Sequence, residues 1–184
     1  MTIMLITSDN INYTCLGVFQ WETMPISRYK DAFGLTRGTN LSIVNNSASG
    51  AITEYYSEIN TSLSGTTTIP HQNDVSYNYQ DLEHSSDGHA MEFNIPVSYV
   101  IPSSSTQSLS IIYNEMLGCI SYNGMIGLDN IVSANHFSVY AHKIKTVSLQ
   151  YIDFSVSFPT SFTIGGFAIT DTYIQRSTNH TWIR

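Results

Sequence analysis

Charge is the first thing this sequence is short of. Of its 184 residues only 11% are Asp, Glu, Lys or Arg, against about 25% in an ordinary soluble domain. The seven basic residues are scattered as Arg28, Lys30, Arg37, Lys143, Lys145, Arg176 and Arg184, and the formal net charge is −7. Binding a phosphate backbone needs positive charge gathered on one face. The densest basic stretch, His142-Lys143-Ile144-Lys145, is too small for that, so no nucleic-acid partner is expected.

Cysteine is scarce too. Cys15 and Cys119 are the only two, and they either form one disulfide or stay free and buried. No apolar run approaches the roughly 20 residues of a membrane-spanning helix. The first six residues lack a basic n-region, and their apolar run stops at Ser8-Asp9, so they do not read as a signal peptide. Synthesis in a cytoplasm is the expectation, unless a leader has been removed.

Recognisable chemistry is the third absence. There is no G-x-S-x-G nucleophile elbow. Gly124-Met125-Ile126-Gly127 and Gly165-Gly166 match neither a P-loop nor a dinucleotide fingerprint. Cys119 would need the fold to bring it to His136 or His142, and nothing local activates its thiol. Glu54 and Glu58 form a carboxylate pair only if a cleft exists between them; they read instead as solvating residues. No catalytic residue, cofactor or metal is assigned, and no enzymatic activity is expected.

What fills the space is Ser, Thr and Asn, nearly a third of the chain. Such side chains lose little rotamer entropy on packing, whereas a Lys or Glu loses about 1.5–2 kcal/mol. A neutral hydroxyl and amide surface suits burial under neighbours or sugars. Hydrophobic residues make up 42%, and a chain of this length buries roughly 70% of its unfolded surface, enough for one self-sufficient core. A single β-rich domain over 1–184 is expected. A composition shift near residue 70 suggests an N-terminal arm, 1–70, on a β body, 71–184.

Period two dominates. Met91, Phe93, Ile95, Val97, Tyr99 and Ile101 alternate with polar residues and Pro96, so a half-buried strand is predicted there, on an edge or broken at the proline. Val75, Tyr77 and Tyr79 repeat this in brief. Further strands are predicted through Phe137, Val139 and Ala141, then Val147, Leu149 and Tyr151. Phe154, Val156 and Phe158 follow, and after a turn at 159–161, Phe162 and Ile164. Gly165-Gly166 marks a bulge before Phe167 and Ile169. Leu109, Ile112, Tyr113, Met116 and Leu117, followed by Gly118, have helical spacing. Ile52, Tyr55, Tyr56, Ile59 and Leu63 have it more weakly. Loops are expected at 45–50, 63–68, 83–89 and 103–105. The predicted fold is a mainly β, antiparallel β-sandwich, jelly-roll-like, with one or two short helices.

Three features remain as site candidates. The segment Asp81-Leu82-Glu83-His84-Ser85-Ser86-Asp87-Gly88-His89 is rich in metal-ligand types, but its histidine spacing is no zinc pattern and its glycine is misplaced for a calcium loop. It reads as a solvated loop. Sequons at Asn12, Asn40, Asn45, Asn60 and Asn179 are expected by chance in so Asn- and Ser-rich a chain. The aromatics Tyr55, Tyr56, Tyr77, Tyr79, Trp21 and Trp182 suit an interface or a sugar, with core packing as the default for each.

Together these point to a non-enzymatic structural protein of a symmetric assembly. Its partners would be copies of itself and other virion proteins, as in a phage capsid-decoration, tail or fibre-associated protein made in a host cytoplasm. The alternative is an extracellular carbohydrate-binding module or adhesin, with a glycan as partner.

Overall fold

The computed structural model describes residues 1–7, 11–25, 30–38, 41–104, 106–126, 133–143, 153–157, 161–165 and 173–183. In chain order the strands are β1 (Thr2–Thr7), β2 (Asn12–Trp21), β3 (Lys30–Arg37), β4 (Leu41–Ile43), β5 (Ser49–Ser62), β6 (Gly65–Tyr77) and β7 (Glu83–His84). They continue as β8 (Gly88–Asn94), β9 (Tyr99–Ser104), β10 (Gln107–Ile126), β11 (Ser133–Lys143), β12 (Asp153–Ser157), β13 (Ser161–Gly165) and β14 (Tyr173–Ile183). One sheet has the order β1-β2-β10-β5-β6, with β4 and β9 also pairing β10. A second has the order β14-β11-β3-β8-β7, and β12 and β13 form a separate hairpin. Strands β1, β2, β4 and β5 of the N-terminal part thus lie in the first sheet, and β3 lies in the second.

All the pairings are antiparallel. Two sheets face each other across an aromatic core, as the expected β-sandwich requires. Phe19 of the first sheet lies 4.9 Å from Phe33, 5.3 Å from Phe93 and 4.6 Å from Tyr140 of the second, centroid to centroid. Along β2 the burial alternates strictly, with Tyr13, Cys15 and Phe19 facing in. Room for the Phe19 ring comes from Gly118 on the neighbouring strand, where a Cβ would lie 2.1 Å from Phe19 Cε1.

Both predicted helices are strands, and they pair with each other. Leu109 lies opposite Asn60 and Tyr113 opposite Tyr56, within β10 and β5. The helical spacing has a physical source. Tyr113 pairs with Tyr56 but Glu115 pairs with Tyr55, so Asn114 is an extra residue in β10. Such a bulge switches the inward parity from Leu109, Ile111 and Tyr113 to Met116, Gly118 and Ile120. Spacings of three and four residues result without any helix, and Gly118 sits mid-strand. The described residues hold no α-helix, and a short 3₁₀ turn at Tyr79–Asp81 ends the line predicted through Tyr79.

Other boundaries follow turn chemistry. β8 stops at Asn94 and β9 starts at Tyr99, with Pro96 in the gap, as its missing donor demands. The loop predicted at 63–68 is only a two-residue turn, because Gly65, at φ 138°, closes the β5–β6 hairpin. The strands predicted at 137–141, 154–156 and 162–164 fall in β11, β12 and β13. Residues 147–151 and 166–169 lie outside the described residues.

The first sheet outruns the second. No residue of 57–72, 97–104 or 106–110 is buried, so the end formed by β9, β10, β5 and β6 projects as a four-stranded sheet that no layer of the described residues covers.

Candidate functional site

Two features stand out from the sandwich: buried polar clusters inside it, and the uncovered sheet that projects from it.

The most concentrated buried chemistry is at one end of the core. Asp31 is fully buried on β3, which pairs with β11 so as to bring Tyr140 and His142 alongside. The Tyr140 hydroxyl donates to Asp31 Oδ2. His142 Nδ1 lies 2.9 Å from the same oxygen and 3.1 Å from Oδ1. Trp21 Nε1 donates to the Tyr140 oxygen at 2.6 Å. Burial, and then the Asp31 charge, raise the Tyr140 phenol far above its ordinary range, which keeps it a donor. A buried carboxylate is tolerated when its oxygens are satisfied in this way. Trp21 is thereby a core anchor rather than an exposed sugar platform, and the side chain of Trp182 lies outside the described residues.

A second cluster gathers at the residues that resembled a metal loop. His84 and His89 face each other across the β7–β8 pair, Nδ1 to Nδ1 at 2.9 Å. Tyr79 stacks on His84 at 3.9 Å. His89 is buried, and burial followed by the neighbouring His84 lowers it to about 4. Its Nε2 has no hydrogen-bond partner, which fits a neutral ring donating through Nδ1. The acids of the segment are engaged elsewhere. Asp87 Oδ1 pairs with Arg37 Nη2 at 3.0 Å, and Asp81 Oδ2 accepts the Asn78 backbone N–H at 2.8 Å. No group of three or more His, Cys, Asp or Glu side chains able to hold a metal occurs among the described residues.

The cysteine candidates are kept apart. Cys15 pairs in register with Tyr122, whereas Cys119 pairs with Val18. That odd offset puts the two thiols on opposite faces of the sheet, and both are free. Burial pushes Cys15 up to about 12 and raises Cys119 as well. His136 hydrogen-bonds inward with Tyr122, Nδ1 to Oη at 3.1 Å, on the face that Cys119 does not share.

On the projecting sheet, register builds an apolar face. Ile69, Glu58, Ile111 and Tyr99 form one cross-strand row, and Thr67, Asn60, Leu109 and Ile101 the next. A third row carries His71, Tyr56 and Tyr113, with the Tyr56 ring 5.1 Å from His71 and 5.2 Å from Tyr113. Ile69, Tyr99 and Ile101 remain 42%, 49% and 47% exposed. Glu54 and Glu58, expected to solvate a helix, lie instead on either side of Tyr56 along β5. Glu54 accepts from Asn73 Nδ2 at 2.9 Å and Glu58 from Asn60 Nδ2 at 2.9 Å. The opposite face of the same strands mixes Ser57, Thr61, Thr66, Thr68, Ser108 and Ser110 with Ile59, Pro70, Val100, Pro102 and Ile112.

No protein-family model and no curated protein sequence matches the chain. Among solved structures it is similar to ACE19, the collagen binding subdomain of the Enterococcus faecalis surface protein ACE. The TM-score is 0.38 at 4% identity, over 99% of this chain and 96% of that one. It is also similar to Clostridium perfringens delta-toxin, with a TM-score of 0.35 at 8% identity over 98% and 74% of the two chains. A pore forming protein gives 0.32 at 9% identity over 97% and 74%. At these values the likeness carries no argument, and the functional reading rests on the geometry above. That geometry defines a class: an antiparallel β-sandwich with a projecting, half-apolar sheet.

Proposed function

We propose that this chain is a non-enzymatic structural protein of a symmetric homo-oligomer, and that the apolar face of the projecting sheet docks on a second copy. The observation that carries the reading is the exposed patch of Ile69, Tyr99 and Ile101, spread over two neighbouring rows beside Leu109 and Tyr113. A contiguous apolar face of this kind is costly to leave in water and marks a contact surface. The charge distribution permits a copy of the same chain as the partner. Two molecules of net charge −7 repel, and a like-charged contact is disfavoured. Within 57–72 and 97–110, however, Glu58 is the sole Asp, Glu, Lys or Arg, so copies meeting there bring little like charge together.

The free edges of β6 and β9 carry Pro70 and Pro102. Proline at an edge discourages open-ended strand addition, which suits a closed oligomer better than a fibre. A virion component assembled in a host cytoplasm is the setting that fits this character best. The reading assigns no catalytic step, since the buried Asp31 oxygens are spent on Tyr140 and His142.

The test is native mass by light scattering across a dilution series. A stable closed oligomer is the expected result. A monomer at every concentration overturns the reading.

A further inference from the structure

We propose that the groove at the outer end of the projecting sheet is a binding site for an uncharged, polyhydroxylated ligand, a short saccharide. The groove measures about 520 Å³ and is bounded by the β5–β6 turn and by the start of β10, with Ser103 of β9 beside it. That volume lies within the range of small-molecule sites. The inference goes beyond the assembly reading and needs no second copy.

The lining chooses the ligand class by elimination. Among the described residues no charged side chain lines the groove, so a phosphate, carboxylate or ammonium group would lose its water with no counter-charge in return. An apolar ligand would strip water from hydroxyls and amides and leave them unpaired, which disfavours it. A sugar hydroxyl both donates and accepts, as do Ser, Thr and Gln side chains between them, so the two surfaces match in either direction.

The hydrogen-bonding state of the side chains supports this. The turn is held internally: the Ser62 and Ser64 hydroxyls are 2.8 Å apart, and Asn60 gives its amide to Glu58 at 2.9 Å. By contrast Thr61, Thr66, Thr67, Gln107 and Ser108 line the groove and make no side-chain hydrogen bond among the described residues. Register puts Thr67 on the Leu109 face of the sheet and Thr61, Thr66 and Ser108 on the other, so the groove at the sheet's end is offered unspent donors and acceptors from both faces beside a braced turn, which suits a neutral polar ligand. Gln107 is the amide that can present a donor and an acceptor to adjacent hydroxyls. With no aromatic ring in the lining the single-site affinity is weak, in the millimolar range, and copies in one assembly would raise it by avidity.

The experiment follows the Gln107 side-chain amide by ¹H–¹⁵N NMR. The probes are three uncharged sugars (maltotriose, chitotriose and N-acetyllactosamine), with sialyllactose and a heparin tetrasaccharide as charged counterparts. The expected result is a saturable shift with at least one uncharged sugar and no tighter binding of the charged ones. Gln107→Ala combined with Thr61→Val then weakens binding about tenfold, while the melting temperature and native mass stay put. If that pair disturbs the fold, Gln107→Glu keeps the shape and is read in its place. No saturable shift with any uncharged sugar, a preference for a charged one, or binding unaffected by these variants would overturn the proposal.

Discussion

His142 and Asp31 meet inside the sandwich as a buried pair, with Nδ1 2.9 Å from one carboxylate oxygen and 3.1 Å from the other. The Tyr140 hydroxyl shares that carboxylate and is itself held by the Trp21 indole. The cluster ties β3 and β11 of one sheet to the end of β2 in the other. Removing the acid strands a buried imidazole and a buried phenol without their acceptor. Breaking such a pair from one side costs about 3–5 kcal/mol. Asp31→Ala should lower the unfolding free energy by an amount of that order, read as a lower urea midpoint at unchanged slope. Tyr140→Phe should cost less, about 1–3 kcal/mol, because Asp31 keeps His142. An Asp31→Ala midpoint equal to that of the parent chain would show that the cluster contributes nothing.

His89 gives stability a pH dependence of definite sign. Its ring is lowered from 6.5 to about 4 by burial and by His84. Between those values the unfolded chain takes a proton on this residue and the folded chain does not. Stability from this group is therefore complete above the unfolded value of 6.5 and is lost as the pH falls toward 4. The loss is on the order of 1 kcal/mol per pH unit within the window. The measurement is the difference in unfolding free energy between the parent and His89→Phe across that range. The variant should show the flatter profile, and parallel profiles would remove His89 as the source.

How much of this was legible in the sequence depends on the range of the interaction. The alternation through Met91 and Phe93 marks β8, and Pro96 marks its end, because both signals are local. The bulge at Asn114 is not local in the same sense, since one extra residue exists only relative to the facing strand β5. Read along one strand, it turned a period of two into a helical spacing. The Asp31–His142 pair spans 111 residues. The only clue to it was an acid beginning the otherwise apolar run Asp31-Ala32-Phe33-Gly34-Leu35. The projecting sheet was hidden as well, because β5 and β10 carry helical spacings and 63–68 and 103–105 carry turn residues, and only register pairs them into one sheet.

Gly118 and Gly65 should fail for different reasons when replaced by Ala. At Gly118 the new Cβ would lie 2.1 and 2.3 Å from ring atoms of Phe19. That ring is wedged among Phe33, Phe93 and Tyr140 and has nowhere to swing. Overpacking of this kind costs about 1–3 kcal/mol or more, and Phe19→Leu in the same chain should return part of it, since contacting sites couple. At Gly65 nothing lies within 4 Å of a Cβ, and the obstacle is the φ of 138° alone. Gly65→Ala should cost about 1 kcal/mol, and Phe19→Leu should not rescue it. Thermal melts of the four chains and the parent decide the matter. Rescue at both sites, or at neither, would contradict the steric account of Gly118.

The last prediction separates a contact surface from a merely exposed one. Tyr99 and Ile101 stand on β9, an edge strand, and are 49% and 47% exposed, so a charge placed there reaches water. Ile101→Lys and Tyr99→Lys should therefore leave the melting temperature of the single chain within about 0.5 kcal/mol of its parent in stability terms. If the apolar face docks on a second copy, each lysine becomes a charge buried at the contact, and a buried charge without a partner costs several kcal/mol. The oligomer should then dissociate at concentrations where the parent remains intact. The opposite face of the same strands supplies the control: Ser110→Lys adds the same charge to β10 but points away from the contact, and should leave the mass unchanged. Dissociation by Ser110→Lys alone would move the interface to the hydroxyl-rich face. Dissociation by all three would mean that net charge, rather than the patch of Ile69, Tyr99 and Ile101, governs assembly.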